Sequence, residues 1–210
     1  MGYLFFLLVG GPVAIIGLSR LNIGKEFLRF VQDGQNSPMY STGLRKNAEA
    51  GIVADQLKLA GCYAEGRGVK ANTPQAARWY REAAERGNVT AQCHLGRSYE
   101  NGWGVKRNEL EAVRWYKKAA GQGDAYGEFL LGVAYECGVG VKRDYKQAIE
   151  LYQKSAEQGS VYAQCFLGSC YEEGFGVEKN ENMAKMWYAE AKKNDPKKTA
   201  EILKRLRTLM

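Results

Sequence analysis

The chain has one histidine, His94, and contains no HExxH, GxSxG or paired metal-ligand motif. The common metallohydrolase and serine-hydrolase arrangements therefore have no residues to build on. Its five cysteines, Cys62, Cys93, Cys137, Cys165 and Cys170, are odd in number and show no CxxC spacing. A zinc site and a disulfide framework are both disfavoured, and no cofactor is implied. Stripes of basic charge interleaved with stacking aromatics are also missing. The formal charge of +7 sits largely in residues 19–50 and 195–210, which argues for basic ends and against nucleic-acid recognition. With 45% apolar and 25% charged residues, disorder is not indicated either.

A hydrophobic run of full membrane-spanning length is absent too. Tyr3 to Leu18 is uncharged, but it is only 16 residues long and is broken by Gly10, Gly11 and Pro12; a spanning helix needs roughly 20. Arg20, Lys25 and Arg29 follow it, which by the positive-inside tendency predicts a membrane anchor on residues 3–18 with the rest of the chain in the cytoplasm. Two alternatives stay open. One is an export signal delivering an exported or periplasmic protein, although Gly17 to Ser19 is a poor cleavage site; the other is a segment buried in a soluble protein.

What the chain does have is a repeat. Gly51, Gly87, Gly123 and Gly159 recur every 36 residues without insertion, and the same step carries Leu59, Leu95, Leu131 and Leu167, as well as Tyr80, Tyr116, Tyr152 and Tyr188. Four units follow, at 51–86, 87–122, 123–158 and 159–194. Each reads as two helices. In the second unit the first helix runs from about Gly87 to Asn101, where "GWGV" ends it, because glycine supplies the left-handed backbone that reverses a chain. Asn108 then caps the second helix, with Glu111 placed to complete a capping box; Asn72, Asp144 and Asn180 are its equivalents. Cys93 with Cys165, and Cys62 with Cys170, fall at equivalent points and read as small core residues.

The copies "AQCHLGRSYENGWGV" and "EAVRWYKKAAGQG", with "AQCFLGSCYEEGFGV" and "QAARWYREAAERG", resemble the Sel-one-like repeat (SLR) family, relatives of the tetratricopeptide repeats, over residues 51–194. The first unit departs, with Asp55 and Ala60 where later units have Ala91 and Gly96. The resemblance implies an all-α, right-handed α-solenoid whose members mostly act as adaptors gathering other proteins, so the expected partner is a protein or peptide. Cysteine-rich relatives linked to weak activity on penicillin-like compounds pair cysteines eight residues apart. Here Cys93 and Cys165 match one half of that pair while Glu85 and Glu157 stand at the other, which weakens the alternative of an exported envelope hydrolase or ligand-binding protein.

"GWGV" itself lacks the GxxxxGK[ST] spacing of a phosphate loop, follows a helix and occurs in four versions, so it is a structural turn. Trp103 inside it either covers the seam between helices or contacts a partner. Function is expected where the repeat varies. Spacing residues at 100° along the first helices gathers one stripe whose identity changes from unit to unit. Lys58, His94 and Arg97 make a polar end, and Tyr126, Leu130, Val133, Tyr162 and Phe166 an apolar one. The stripe is predicted to line a concave groove that binds a partner segment, with the polar end able to hold a carboxylate; its alternative is mutual burial of these side chains between helices. Cys93 and His94 are neighbours on one helix and point about 100° apart, so no dyad forms from them.

At the ends, residues 19–50 are read as a linker in which "QNSPMYSTG" looks like a loop. Residues 195–210 are read as a final helix begun by Asp195 and Pro196. Ile202, Leu203, Leu206 and Leu209 give it an apolar face to cap the array; the alternative is a basic amphipathic helix on an anionic membrane.

Overall fold

The computed structural model describes residues 38–209. Among them lie α1 (Pro38–Glu49), α2 (Val53–Glu65), α3 (Thr73–Glu85), α4 (Val89–Asn101), α5 (Glu109–Gly121), α6 (Ala125–Cys137), α7 (Tyr145–Glu157), α8 (Val161–Glu173), α9 (Glu181–Asn194) and α10 (Pro196–Leu209). The pairs α2/α3, α4/α5, α6/α7 and α8/α9 are the four units. They stack side by side into an all-α solenoid, with α1 against α2 at one end and α10 against α8 and α9 at the other. The first helices α4 and α6 also touch one another directly, which sets the first helices on the inner side of the array.

Local chemistry fixes each helix. Asn72, Asn108, Asp144 and Asn180 cap the second helices, each side chain accepting an N–H three residues on. The capping box expected at Asn108 is only half formed. Its own N–H donates to the Tyr99 carbonyl at 2.9 Å, and Glu111 turns instead to Arg114. That Tyr99 bond recurs at Tyr63, Tyr135 and Tyr171, and it ties the end of each first helix to the start of its second. Gly102 closes α4 with φ +74°, a conformation that costs a side-chain-bearing residue strain. The next glycine matters for a different reason. A Cβ at Gly104 would lie 2.0 Å from the Thr73 carbonyl oxygen, because this turn is seated on the first residue of the preceding unit's second helix. Gly140 sits in the same way on Glu109, and Gly176 on Tyr145.

Within a unit the two helices meet through a glycine and a tyrosine. Cβ atoms on Gly96 and Gly132 would come within 2.4 and 2.6 Å of the rings of Tyr116 and Tyr152. Those two rings are almost fully buried, each contributing about 2 kcal/mol of apolar burial. Each hydroxyl finds a carboxylate, Tyr116 donating to Glu100, Tyr152 to Glu136 and Tyr188 to Glu172. The first unit has Ala60 in place of the glycine and Ala64 in place of the glutamate. Its Tyr80 ring is instead stacked on His94 of the next unit, 4.7 Å between centroids.

Between units runs a second recurring contact. Gln56, Gln92 and Gln164, all buried, donate to the carbonyls of Ala48, Ala84 and Ala156. Their oxygens accept in turn from the end of the following helix, Gln122 to Gln92 and Asn194 to Gln164. In the first unit Arg86 replaces the donor and bonds Gly51, so the Gln56 Oε1 is buried without a partner. In the third, Glu128 replaces the glutamine and accepts from Gln158 at 2.7 Å.

The ends differ in part from expectation. Residues 38–49 form α1 where a loop was expected. Pro38 stands in the first turn, where its missing N–H costs nothing. The modest helix formers after it are overridden by packing, since Leu44 and Ala48 lie four residues apart and are buried against the first unit. Helix α10 caps the array, with Ile202 buried and Leu203 and Leu206 packed on Cys165 and Ala191. Its apolar face is therefore occupied by the core, which replaces the membrane-surface alternative. Residues 1–37, which carry the hydrophobic run and part of the expected linker, lie outside the described residues.

Candidate functional groove

The variable stripe on the first helices divides in two. In the second half, Tyr126, Leu130 and Val133 on α6 and Tyr162 and Phe166 on α8 are half-buried and gathered around the buried Phe129. Ring centroids lie 6.2 Å apart for Tyr126 and Tyr162, 5.5 Å for Phe129 and Tyr162, and 5.0 Å for Phe129 and Phe166. Such offset and edge contacts add on the order of 1 kcal/mol per pair beyond burial. Phe166 also lies 5.8 Å from Tyr152, so it serves the core as well as the groove. The two tyrosines are held less deeply.

Cations stand at both ends of this aromatic surface. Arg97 donates to the Tyr126 hydroxyl at 3.4 Å, and its guanidinium lies 5.4 Å from the Trp103 ring. Lys198 of α10 places its ammonium 4.2 Å from the Tyr162 centroid. The result is a row: Trp103, Arg97, Tyr126, Tyr162, Lys198. Burial raises the Tyr126 phenol, opposed by Arg97, so the hydroxyl stays protonated while accepting Arg97's hydrogen bond.

The other two polar residues of the stripe do not join this row. Lys58 is exposed and paired with Asp55 at 3.5 Å, and Asp55 is in turn bonded by Asn47 of α1. Its charge is neutralised locally. His94 is half-buried under its stack with Tyr80, and burial, then Arg97, lowers its basicity below the ordinary imidazole range. Two residues escaped the sequence reading. Phe129 sits at a core position where other units have Leu57 or cysteine, so only its size distinguishes it. Lys198 lies outside the repeat, where periodicity says nothing. Trp103 is 48% exposed, and its contact is with Arg97.

Nucleophilic chemistry has no support here. Cys93 faces Asp124 at 3.5 Å, not His94, and burial together with that carboxylate pushes its thiol up to about 12. Burial likewise raises Cys165 to about 11 and Cys170 to about 12. Thiols held protonated are poor nucleophiles. Among the described residues, no group of three or more His, Cys, Asp or Glu is placed to hold a metal ion.

Stacked helix pairs with a repeated frame and a variable inner face define a helical-repeat scaffold, a class of fold that presents an extended inner surface. The particular family follows from comparison. The Sel1 repeat model matches residues 54–88, 89–124, 125–160 and 161–196, and the chain belongs to the Sel1 repeat family. It is similar to a protective antigen of uropathogenic Escherichia coli displaying an SLR fold, with 38% identity and a TM-score of 0.70 over 74% of this chain. The match spans 33% of that protein's length. It is also similar to a Sel1 repeat protein from Oxalobacter formigenes, with 31% identity and a TM-score of 0.77, covering 88% of this chain and 75% of that one. No curated protein matches. The expected membrane anchor is corrected at this point: among the described residues no helix is long and apolar enough to cross a membrane, and the run at residues 3–18 lies outside them.

Proposed function

We propose that the chain holds a segment of a partner protein in the groove over Tyr126, Leu130, Val133, Tyr162 and Phe166, with Arg97 meeting a carboxylate of that segment. The observation carrying this reading is the row of half-buried aromatics closed at each end by a cation. Neither Arg97 nor Lys198 has a carboxylate partner within ion-pair reach among the described residues. Aromatic anchors with a positive rim are the usual equipment for gripping a peptide, because large rigid side chains lose little entropy on binding while the rim charge selects the partner. Lys58 and His94 are excluded from direct contact in this reading; they belong to the frame of the first two units.

A photo-crosslinking amino acid in place of Tyr162 tests it, with one at the exposed Gln153 of α7 as control. Probe and control are run in extracts of the native host. A partner crosslinked at 162 but not at 153, and lost in Tyr126→Ala and Arg97→Glu backgrounds that still unfold cooperatively, is the expected result. Equal capture from both positions, or capture indifferent to both substitutions, would overturn the assignment. Phe166→Ala is a poor probe, since its contacts with Phe129 and Tyr152 make loss of stability and loss of binding hard to separate.

A further inference from the structure

Away from the groove, the second helices carry an asymmetry that the groove does not explain. An open cleft of about 490 Å³ lies between α5 and the turn after α6, lined by Leu110, Val113, Arg114, Lys117, Lys118 and Val141. Its floor is apolar: Val113 is buried, Val141 half-buried, and Leu110 is 73% exposed, the most exposed large apolar side chain among the described residues. Its rim is cationic. Arg114 is held by Glu111 at 3.4 Å and Lys118 lies 4.0 Å from the Trp115 ring, whereas Lys117 has no carboxylate within ion-pair reach among the described residues.

The repeat supplies an internal control. One unit earlier, the positions of Leu110, Arg114, Lys117 and Lys118 hold Pro74, Arg78, Arg81 and Glu82, and Arg81 is engaged by the Tyr99 hydroxyl at 2.8 Å. One unit later they hold Lys146, Glu150, Gln153 and Lys154, and Phe175 of that turn stacks on Tyr145 at 6.2 Å. Of the three junctions compared, the central one combines an exposed aliphatic side chain, an uncovered floor and three cations. The frame does not require this, because its neighbours stack without it.

We propose that this cleft is a second binding site, taking an acidic protein segment that sets one aliphatic side chain on Leu110, Val113 and Val141 and its carboxylates against Lys117, Lys118 and Arg114. The floor is shaped for a side chain, and it offers no free aromatic face on which a base could stack, Trp115 being covered by Lys118. Glu111 on the rim already engages Arg114, so the exposed Lys117 and Lys118 carry most of the cleft's attraction for carboxylates. The site is independent of the groove.

The probe is a fluorescein-labelled peptide with one leucine flanked on both sides by glutamates, titrated by anisotropy into the full chain. It should bind in low salt and weaken as salt rises. Leu110→Ser and Lys117→Glu/Lys118→Glu should each weaken it by at least about tenfold, as should serine in place of the peptide's leucine. The substituted side chains are exposed, so cooperative unfolding should be unchanged. Binding insensitive to Leu110→Ser, equal binding of the serine peptide, or no binding of the leucine peptide would overturn the proposal. So would stronger, Leu110-dependent attachment to phosphatidylserine vesicles than to the peptide, which would make the cleft a lipid contact.

Discussion

The first two units and the last two share one frame and differ in what they turn inward. In units three and four the inner face is aromatic and bounded by Arg97 and Lys198, whereas in the first two it is polar and its side chains are committed to their own neighbours. The frame differs too, though less visibly. The first unit lacks the glycine and glutamate that seat and cap Tyr116 in the second, and it leaves Gln56 with an unpartnered oxygen. The first unit departs at the seat between its own two helices, while the surfaces on which the second unit lands, Thr73 and Ala84, keep the pattern. The comparison teaches that what recurs is the packing of helix on helix, within a unit and between units, while what varies is the inner face laid over it.

Making an internal unit resemble the terminal one is the most severe way to break that rule. Gly96→Ala puts a Cβ where the Tyr116 ring lies, at 2.4 Å, and should destabilise the chain by roughly 3 kcal/mol, measured by urea denaturation. The reverse change, Ala60→Gly, should cost less, about 1 kcal/mol, since it removes one buried methyl from a helix and creates no overlap. Equal losses would show that the tyrosine seat is not what distinguishes the two units.

A smaller effect sharpens the comparison at the ladder between units. Glu128 occupies a glutamine position, and burial raises its carboxyl. A carboxyl raised in the folded state is favourable when protonated, at pH below its unfolded value, and its contribution is lost as pH rises through the folded value. At neutral pH, Glu128→Gln should therefore stabilise the chain by about 1 kcal/mol by adding an N–H donor for the Ala120 carbonyl, as Gln92 serves Ala84. The gain should shrink as the pH is lowered. A loss of stability would mean that ionised Glu128 is compensated by Lys154.

The smallest effect concerns His94. Its lowered basicity means that the folded state resists protonation while the unfolded chain does not. Stability from this group is complete above the ordinary imidazole value of 6.5 and declines as pH falls through the lower, folded value. His94→Phe keeps the ring against Tyr80 and removes the titration. The difference in melting temperature between wild type and variant should widen across that window, and a flat difference would mean that His94 is charged in place.

Much of this was legible in the sequence because each frame position is written four times. The 36-residue step locates the helices, the Asn or Asp caps and the reversing glycines without reference to packing. Gln56, Gln92 and Gln164 recur at the same step but went unread, because their role lies in the neighbour's carbonyl, eight residues back and across a turn. Where evidence is written once, the sequence was weaker. The segment "QNSPMYSTG" has the composition of a loop, yet from Pro38 onward the chain is helical because Leu44 and Ala48 find a surface to cover. Lys198 completes the groove from outside the period, so only tertiary structure places it beside Tyr162. His94 and Lys58 satisfied the helical spacing, but each is captured by a closer partner, a choice that spacing alone does not contain.

The seating of Gly104 on Thr73, and of its equivalents on the unit before, gives the array a direction. Each new turn is seated on the start of a helix that precedes it in the chain. A chain emerging from the ribosome amino-terminus first thus always meets a finished landing place as it lengthens. Growth of the solenoid can keep pace with synthesis, one unit at a time, with the last helix arriving to seal the end.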